Sequence, residues 1–189
     1  MKIITPFLTL TLLLFLTSSC EKPDILFQEN GSDWFRAGDA HWDFSNEELI
    51  GSLDSGSGFV MTRASYSNFD LKLEFYPDST INSGIFIRCK NPEINPFDCY
   101  EINIWDLHPN QDYRTGAIVM KSHPLERVDT INKWNLFEIK CENDRIMAWV
   151  NGTLTADLQD TMRTNGFIAL QAAETGEIKF RNINIKLLR

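Results

Sequence analysis

Short apolar or alternating runs, each closed by a turn signal, fill this chain and leave no room for long helices. They recur at residues 41–44, 48–52, 58–62, 69–76, 83–89, 99–105, 116–121, 135–141, 145–150, 152–156, 166–172 and 178–188. Many short strands parted by turn signals imply a sandwich of two antiparallel sheets. Leu71, Leu73 and Phe75 alternate with Lys72 and Glu74, so one face of that strand meets a core. Phe180, Asn182 and Asn184 oppose Ile183, Ile185 and Leu187, and the change of phase after Phe180 predicts a bulge or an edge. Asn151-Gly152 is a two-residue hairpin signal, because both central positions of that turn take positive φ. Glu142-Asn143-Asp144 turns the preceding pair, and Gly56 and Gly58 break the chain before the run 59–62. The predicted fold class is all-β: a two-sheet antiparallel jelly-roll sandwich of the concanavalin or laminin-G shape.

The N-terminus speaks to location. Lys2 is followed by an almost wholly apolar stretch over 3–16, then Thr17, Ser18, Ser19 and Cys20. The stretch is too short to span ~30 Å of hydrocarbon and reads as the core of a signal peptide. Small residues before a cysteine resemble the lipobox of bacterial lipoproteins, with Thr17 in place of the commoner leucine. The expected organisation is a signal peptide at 1–19, a lipidated Cys20 with a short tether at 20–26, and one sandwich domain at 27–189. Several acyl chains on Cys20 would anchor the protein in the cell envelope, facing the periplasm or the exterior, since each buried methylene contributes ~0.8 kcal/mol.

The chain has 26 acidic and 18 basic residues, a formal charge of −8, and no basic run. That balance argues against nucleic acid as a partner. Thirteen Phe and five Trp are ample for a core. Beyond Cys20 the cysteines are Cys89, Cys99 and Cys141. Cys89 and Cys99 stand at the facing ends of two predicted strands, so a bridge between them and three buried thiols are both open readings.

Several segments carry candidate chemistry. Around the run 99–105, Tyr100, Ile102 and Ile104 share one face, and Glu101, Asn103 and Trp105 the other, with Asp106 at the end. A carboxylate, an amide and an indole in one row suit a sugar, since polar groups bond hydroxyls and a ring covers an apolar sugar face. The other reading is a solvated outer face. Gly84 permits close backbone approach, while Arg88, on the face of Phe86, could orient Glu101 or fork hydrogen bonds to a ligand; an ordinary salt bridge is its alternative. His108, Asp112, Tyr113 and Arg114 lie in a rim loop, with Lys121 and His123 beyond. His108 and His123 are acid/base candidates because their ordinary pKa lies near neutrality. His41 reads as a packing residue.

The ordered set "LFQENGSDWF", "FDLKLEFYPDSTINSGIFIR", "CYEINIWD", "TGAI", "KWNLFEIKCENDRIMAWVNG", "GFIALQ" and "FRNINIK" resembles the 3-keto-disaccharide hydrolase family across roughly 25–188. The resemblance implies a concanavalin-like jelly roll and hydrolysis of glycosides oxidised to a ketone at sugar carbon 3. That chemistry needs a base, a group that stabilises an enolate, and an acid for the leaving oxygen. By matching position, Glu101 is the implied base or metal ligand, Arg88 and Lys121 stabilise the oxyanion, Asp106 or His108 is the acid or ligand, and Gln171 binds hydroxyls beside Asn103 and Trp105. One divalent metal on Glu101, Asp106 and His108 is an open expectation. The chain departs from the family pattern at "AAETG" after "IALQ", at Asn103 in place of a glutamine, and in its short rim loops. A non-catalytic carbohydrate-binding module on the same scaffold is the alternative function.

Overall fold

The computed structural model describes residues 24–25, 31–91, 94 and 97–188. The expected signal peptide, Cys20 and most of the tether lie outside the described residues. Among the described residues thirteen strands follow in order: β1 (Asp24–Ile25), β2 (Trp34–Gly38), β3 (His41–Ser45), β4 (Glu48–Leu53), β5 (Ser57–Thr62), β6 (Phe69–Pro77), β7 (Ile81–Cys89), β8 (Tyr100–Ile104), β9 (Asn135–Glu142), β10 (Arg145–Val150), β11 (Thr153–Gln159), β12 (Phe167–Glu174) and β13 (Gly176–Leu187). Among the described residues a single 3₁₀ turn, Gln111–Tyr113, interrupts the loop after β8.

Two antiparallel sheets stack face to face as a jelly-roll sandwich. One runs β11-β10-β9-β6-β13-β4-β3, and the other, five-stranded, runs β2-β5-β12-β7-β8. β4 pairs with residues 176–181 of β13, and β1 takes the same side farther on, Asp24 opposite Ile185 and Ile25 opposite Asn184. Asp24 and Ile25, placed by sequence in the tether, thus already belong to the sheet.

Alternation builds the core. Leu71, Leu73 and Phe75 on β6 meet Phe137, Ile139 and Cys141 on β9 and Ile85, Ile87, Tyr100, Ile102 and Ile104 from the facing sheet. The phase change on β13 is a bulge: register shifts between Arg181 and Asn184, and Asn182 takes φ +52°. Phe180 and Ile183 therefore both point inward, although they are three positions apart. At the β10–β11 hairpin Asn151 and Gly152 have φ of +52° and +79° and Val150 pairs with Thr153, as that dipeptide predicts.

Two expectations change. Trp34–Gly38 is a strand the pattern did not reveal, since Arg36-Ala37-Gly38 carries no alternation. Residues 116–121 are not a strand; only Ile118 bridges, to Ile102 and Ser122. The Lys121 N–H donates to the Ile118 carbonyl, and Met120 at φ +62° closes a turn there. Cys89 and Cys99 form a disulfide, leaving Cys141 as a buried free thiol.

Candidate functional site

The outer face of the five-stranded sheet carries two rows of side chains. One reads Ala37, Phe59, Gln171, Gly84, Asn103, and the next Phe35, Met61, Ala169, Phe86, Glu101. Most of these groups are apolar: Met61, Phe86, Ala169 and the Cys89–Cys99 pair form a second small core, with Phe35, Phe59, Ile94 and Phe167 against it. The Phe59 and Phe86 rings meet edge to face at 5.4 Å. This cluster explains why a strand with a solvated outer row by alternation is buried on both faces here.

Glu101 lies within that setting. Its neighbour across β7 is Phe86, and it leans over Gly84: a Cβ built on Gly84 would lie 3.3 Å from both Cγ and Oε1 of Glu101. Among the described residues its carboxyl has no hydrogen-bond or ion-pair partner. Burial alone pushes its pKa up to about 7, because a desolvated carboxylate is penalised relative to the acid. A carboxyl that exchanges its proton near neutrality, facing an apolar surface, is suited to general acid–base work. Gln171 stands on the same face, opposite Gly84, 9% exposed, with its Oε1 buried and unpartnered. An orphaned acceptor there is a place for a ligand hydroxyl.

The other expected site residues do not gather at Glu101. Arg88 is wholly buried. Its Nη1 donates to the Arg163 carbonyl at 2.9 Å, and its Nη2 donates to the carbonyls of Ser67 and Asn143 at 3.1 and 2.7 Å. The cause is a bulge: Phe86 pairs with Ala169 and Cys89 with Phe167, so Ile87 and Arg88 together oppose Ile168 alone. With Arg88 at φ +54°, both residues turn inward. The expectation that Arg88 shares the face of Phe86, orients Glu101 and stabilises an oxyanion is corrected; it clips the two sheets together from within.

Asp106 is likewise a structural group. Its carboxylate accepts from the Thr130 backbone N–H at 2.5 Å and the Thr130 hydroxyl at 3.0 Å, with the Arg114 guanidinium 3.8 Å away. Asn103 turns away from the open face into the loop that follows β8, donating to the Tyr113 carbonyl and accepting from the Ile104 N–H. Lys121 lies on the side of Tyr100, opposite Glu101 by strand alternation. Its Nζ reaches Asp160 at 2.8 Å and hovers 5.9 Å over the Tyr100 ring. These placements correct the roles sequence suggested for Asp106, Asn103 and Lys121.

Trp105, His108 and Tyr113 form an aromatic cluster at the rim, with ring centroids 4.5 Å apart for Trp105–His108 and 5.7 Å for His108–Tyr113. His108 Nδ1 lies 2.7 Å from the Asn110 carbonyl and 3.0 Å from its N–H. His123 is exposed, 3.8 Å from Asp112. Glu101, Asp106 and His108 do not fit a shared metal: among the described residues no group of three or more His, Cys, Asp or Glu side chains could hold one. Sequence reasoning passed over the apolar outer cluster of Phe59, Phe86 and Ala169 on the face that carries Glu101; the outward alternation of Phe86 was the available signal.

Comparison with known proteins agrees with this fold. Residues 25–186 match the family described as a 3-keto-alpha-glucoside-1,2-lyase-like domain. A Parabacteroides distasonis protein, named provisionally as a glycosyl hydrolase, is 25% identical with a TM-score of 0.76, covering 89% of this chain and all of its own. The Bacillus subtilis carbohydrate binding module CBM66 is 19% identical at TM-score 0.66, over 85% of this chain and 99% of its own. A Bacillus licheniformis β-glucanase is 15% identical at TM-score 0.64, over 90% of this chain and 100% of its own. The latter two likenesses concern the fold alone. No curated protein matches the sequence.

Proposed function

Because the chain belongs to the 3-keto-alpha-glucoside-1,2-lyase-like family, and is thereby a carbohydrate-active protein, we propose that it cleaves glycosides bearing a ketone at sugar carbon 3, with Glu101 as the base. The ketone acidifies the proton on carbon 2. Glu101 removes that proton, the electron pair forms a double bond between carbons 1 and 2, and the bond from carbon 1 to the glycosidic oxygen breaks. The leaving oxygen takes a proton and departs as an alcohol. Water then adds across the double bond, hydroxyl to carbon 1 and hydrogen to carbon 2, so the net change is hydrolysis. The observation that carries the reading is an unpaired, desolvated carboxyl poised at about 7 on an apolar sheet face. Gln171, with its orphaned acceptor, would take a sugar hydroxyl. Trp105 and His108 at the rim would border the leaving group.

In the same reading the protein is exported and lipid-anchored through Cys20. Cys20 precedes Asp24 by four residues, a reach of at most ~14 Å, so the domain would ride close to the bilayer. Mass spectrometry of the mature N-terminus, with Cys20→Ala as control, tests the anchor: unmodified Cys20 in the native host would refute it.

A non-catalytic binding module is the second reading. It is favoured by the absence, among the described residues, of any charge partner for Glu101. Incubation with 3-keto-glucosides and their unoxidised parents separates the two. Free sugar from the keto forms alone, lost in Glu101→Gln, is the result expected of the enzyme; saturable binding without product would leave only the module.

A further inference from the structure

We propose that Gly84 is a positioning residue for Glu101: its missing side chain is the recess in which the Glu101 side chain lies down against the sheet, out of bulk water. The proposal rests on the reading of Glu101 as the base, but it concerns the geometry of that carboxyl and holds or fails without substrate.

Gly84 is the one residue without a side chain in the row Ala37, Phe59, Gln171, Gly84, Asn103. Glycine weakens a strand interior and is retained where something must come close. The three heavy atoms nearest a Cβ at that position belong to the site: Glu101 Cγ and Oε1 at 3.3 Å and Phe86 Cε2 at 3.4 Å. None of the three is backbone, and Gly84 does not take positive φ, unlike seven other glycines of the chain. Backbone conformation therefore does not require glycine here; the space taken by Glu101 does. A methyl group would meet Glu101 contacts tighter than ordinary van der Waals packing, and the flexible glutamate is the group free to yield, by a few tenths of an ångström away from Gly84.

Among the described residues no neighbouring charge competes with this cause. On the outer face β7 contributes Asn82, Gly84 and Phe86, and β12 contributes Phe167, Ala169, Gln171 and Ala173, none of them titratable. Beyond the edge of β8, the Val119 N–H donates to the Glu101 backbone carbonyl, and Lys121 is held by Asp160 on the side of Tyr100. At the end of the β7–β8 connection Asp98 is paired with Arg163 at 2.6 Å, and Lys90 is exposed. Among the described residues burial is the sole cause of the raised carboxyl pKa, so lifting the side chain should lower it directly.

The test is the Glu101 titration followed by carboxyl ¹³C NMR, its resonance assigned by loss in Glu101→Gln. In Gly84→Ala the midpoint should fall from about 7 toward the ordinary carboxylate range. A double-mutant cycle supplies the second readout: Gly84→Ala should cost stability at pH 5 with Glu101 present and little with Glu101→Ala. An unmoved midpoint, or the same stability cost in both backgrounds, would overturn the proposal. Because neither readout needs turnover, its failure is distinct from failure of the proposed reaction.

Discussion

Phe86 and Glu101 are cross-strand partners on the outer face of the five-stranded sheet, and a point above Gly84 lies within 3.4 Å of both side chains. The ring and the half-buried carboxyl therefore share one corner of the sheet. An aromatic neighbour displaces water without supplying a counter-charge, which is the condition for a carboxyl that titrates near neutrality.

Activity should follow the ionised form of Glu101. With the carboxyl at about 7 in the free protein, kcat/KM for a 3-keto-glucoside should climb through that pH and level off above it. Glu101→Gln should lower turnover by roughly 10²–10⁴-fold, the usual contribution of a positioned base. Steady-state rates between pH 5 and 9 check both outcomes.

Stability should move the other way. Below the ordinary value of 4.5 the folded and unfolded chains both hold the proton; between there and about 7 only the folded chain does. Stability from this group is thus full at low pH and is lost as pH rises through about 7, by at most roughly 3 kcal/mol. Glu101→Gln should raise Tm relative to wild type at pH 8.5 and leave the difference small at pH 4, as calorimetry would show.

Arg88→Met should unfold the protein earlier without touching chemistry. The change leaves the carbonyls of Ser67, Asn143 and Arg163 short of a donor inside the sandwich. A cost of roughly 3 kcal/mol, or ~10 °C in Tm, follows for a chain of this size. The folded variant should turn over within about twofold of wild type. Lys121→Ala, which removes a partly exposed ion pair, should change Tm by only ~1–3 °C.

Cutting the Cys89–Cys99 bridge with a double serine substitution should cost about 2–3 kcal/mol by the loop-entropy argument. Thermal melts with and without reductant measure it, and reductant should have no effect on the double variant.

These outcomes separate what sequence made legible from what it hid. The alternation of Leu71, Leu73 and Phe75 and the Asn151-Gly152 turn are local rules, and the sandwich obeys them. The bulge on β13 was visible because the hydrophobic phase itself slips there. The bulge on β7 was not, since Ile87-Arg88 reads as plain alternation and the inward turn of Arg88 depends on carbonyls from distant segments. Asp106 and Lys121 looked catalytic for the same reason: their partners, Thr130 and Asp160, lie 24 and 39 positions away. Glu101 was legible as a polar residue in an outer row, but its apolar surroundings come from three other strands.

Conversion of a 3-keto-glucoside in D₂O, read at early times against an enzyme-free control, tests proton abstraction by Glu101 most directly. The wild-type protein should release free 3-keto sugar carrying solvent deuterium at carbon 2, and Glu101→Gln should release almost none. Product that keeps its original hydrogen at carbon 2, or equal rates for the two proteins, would contradict the account.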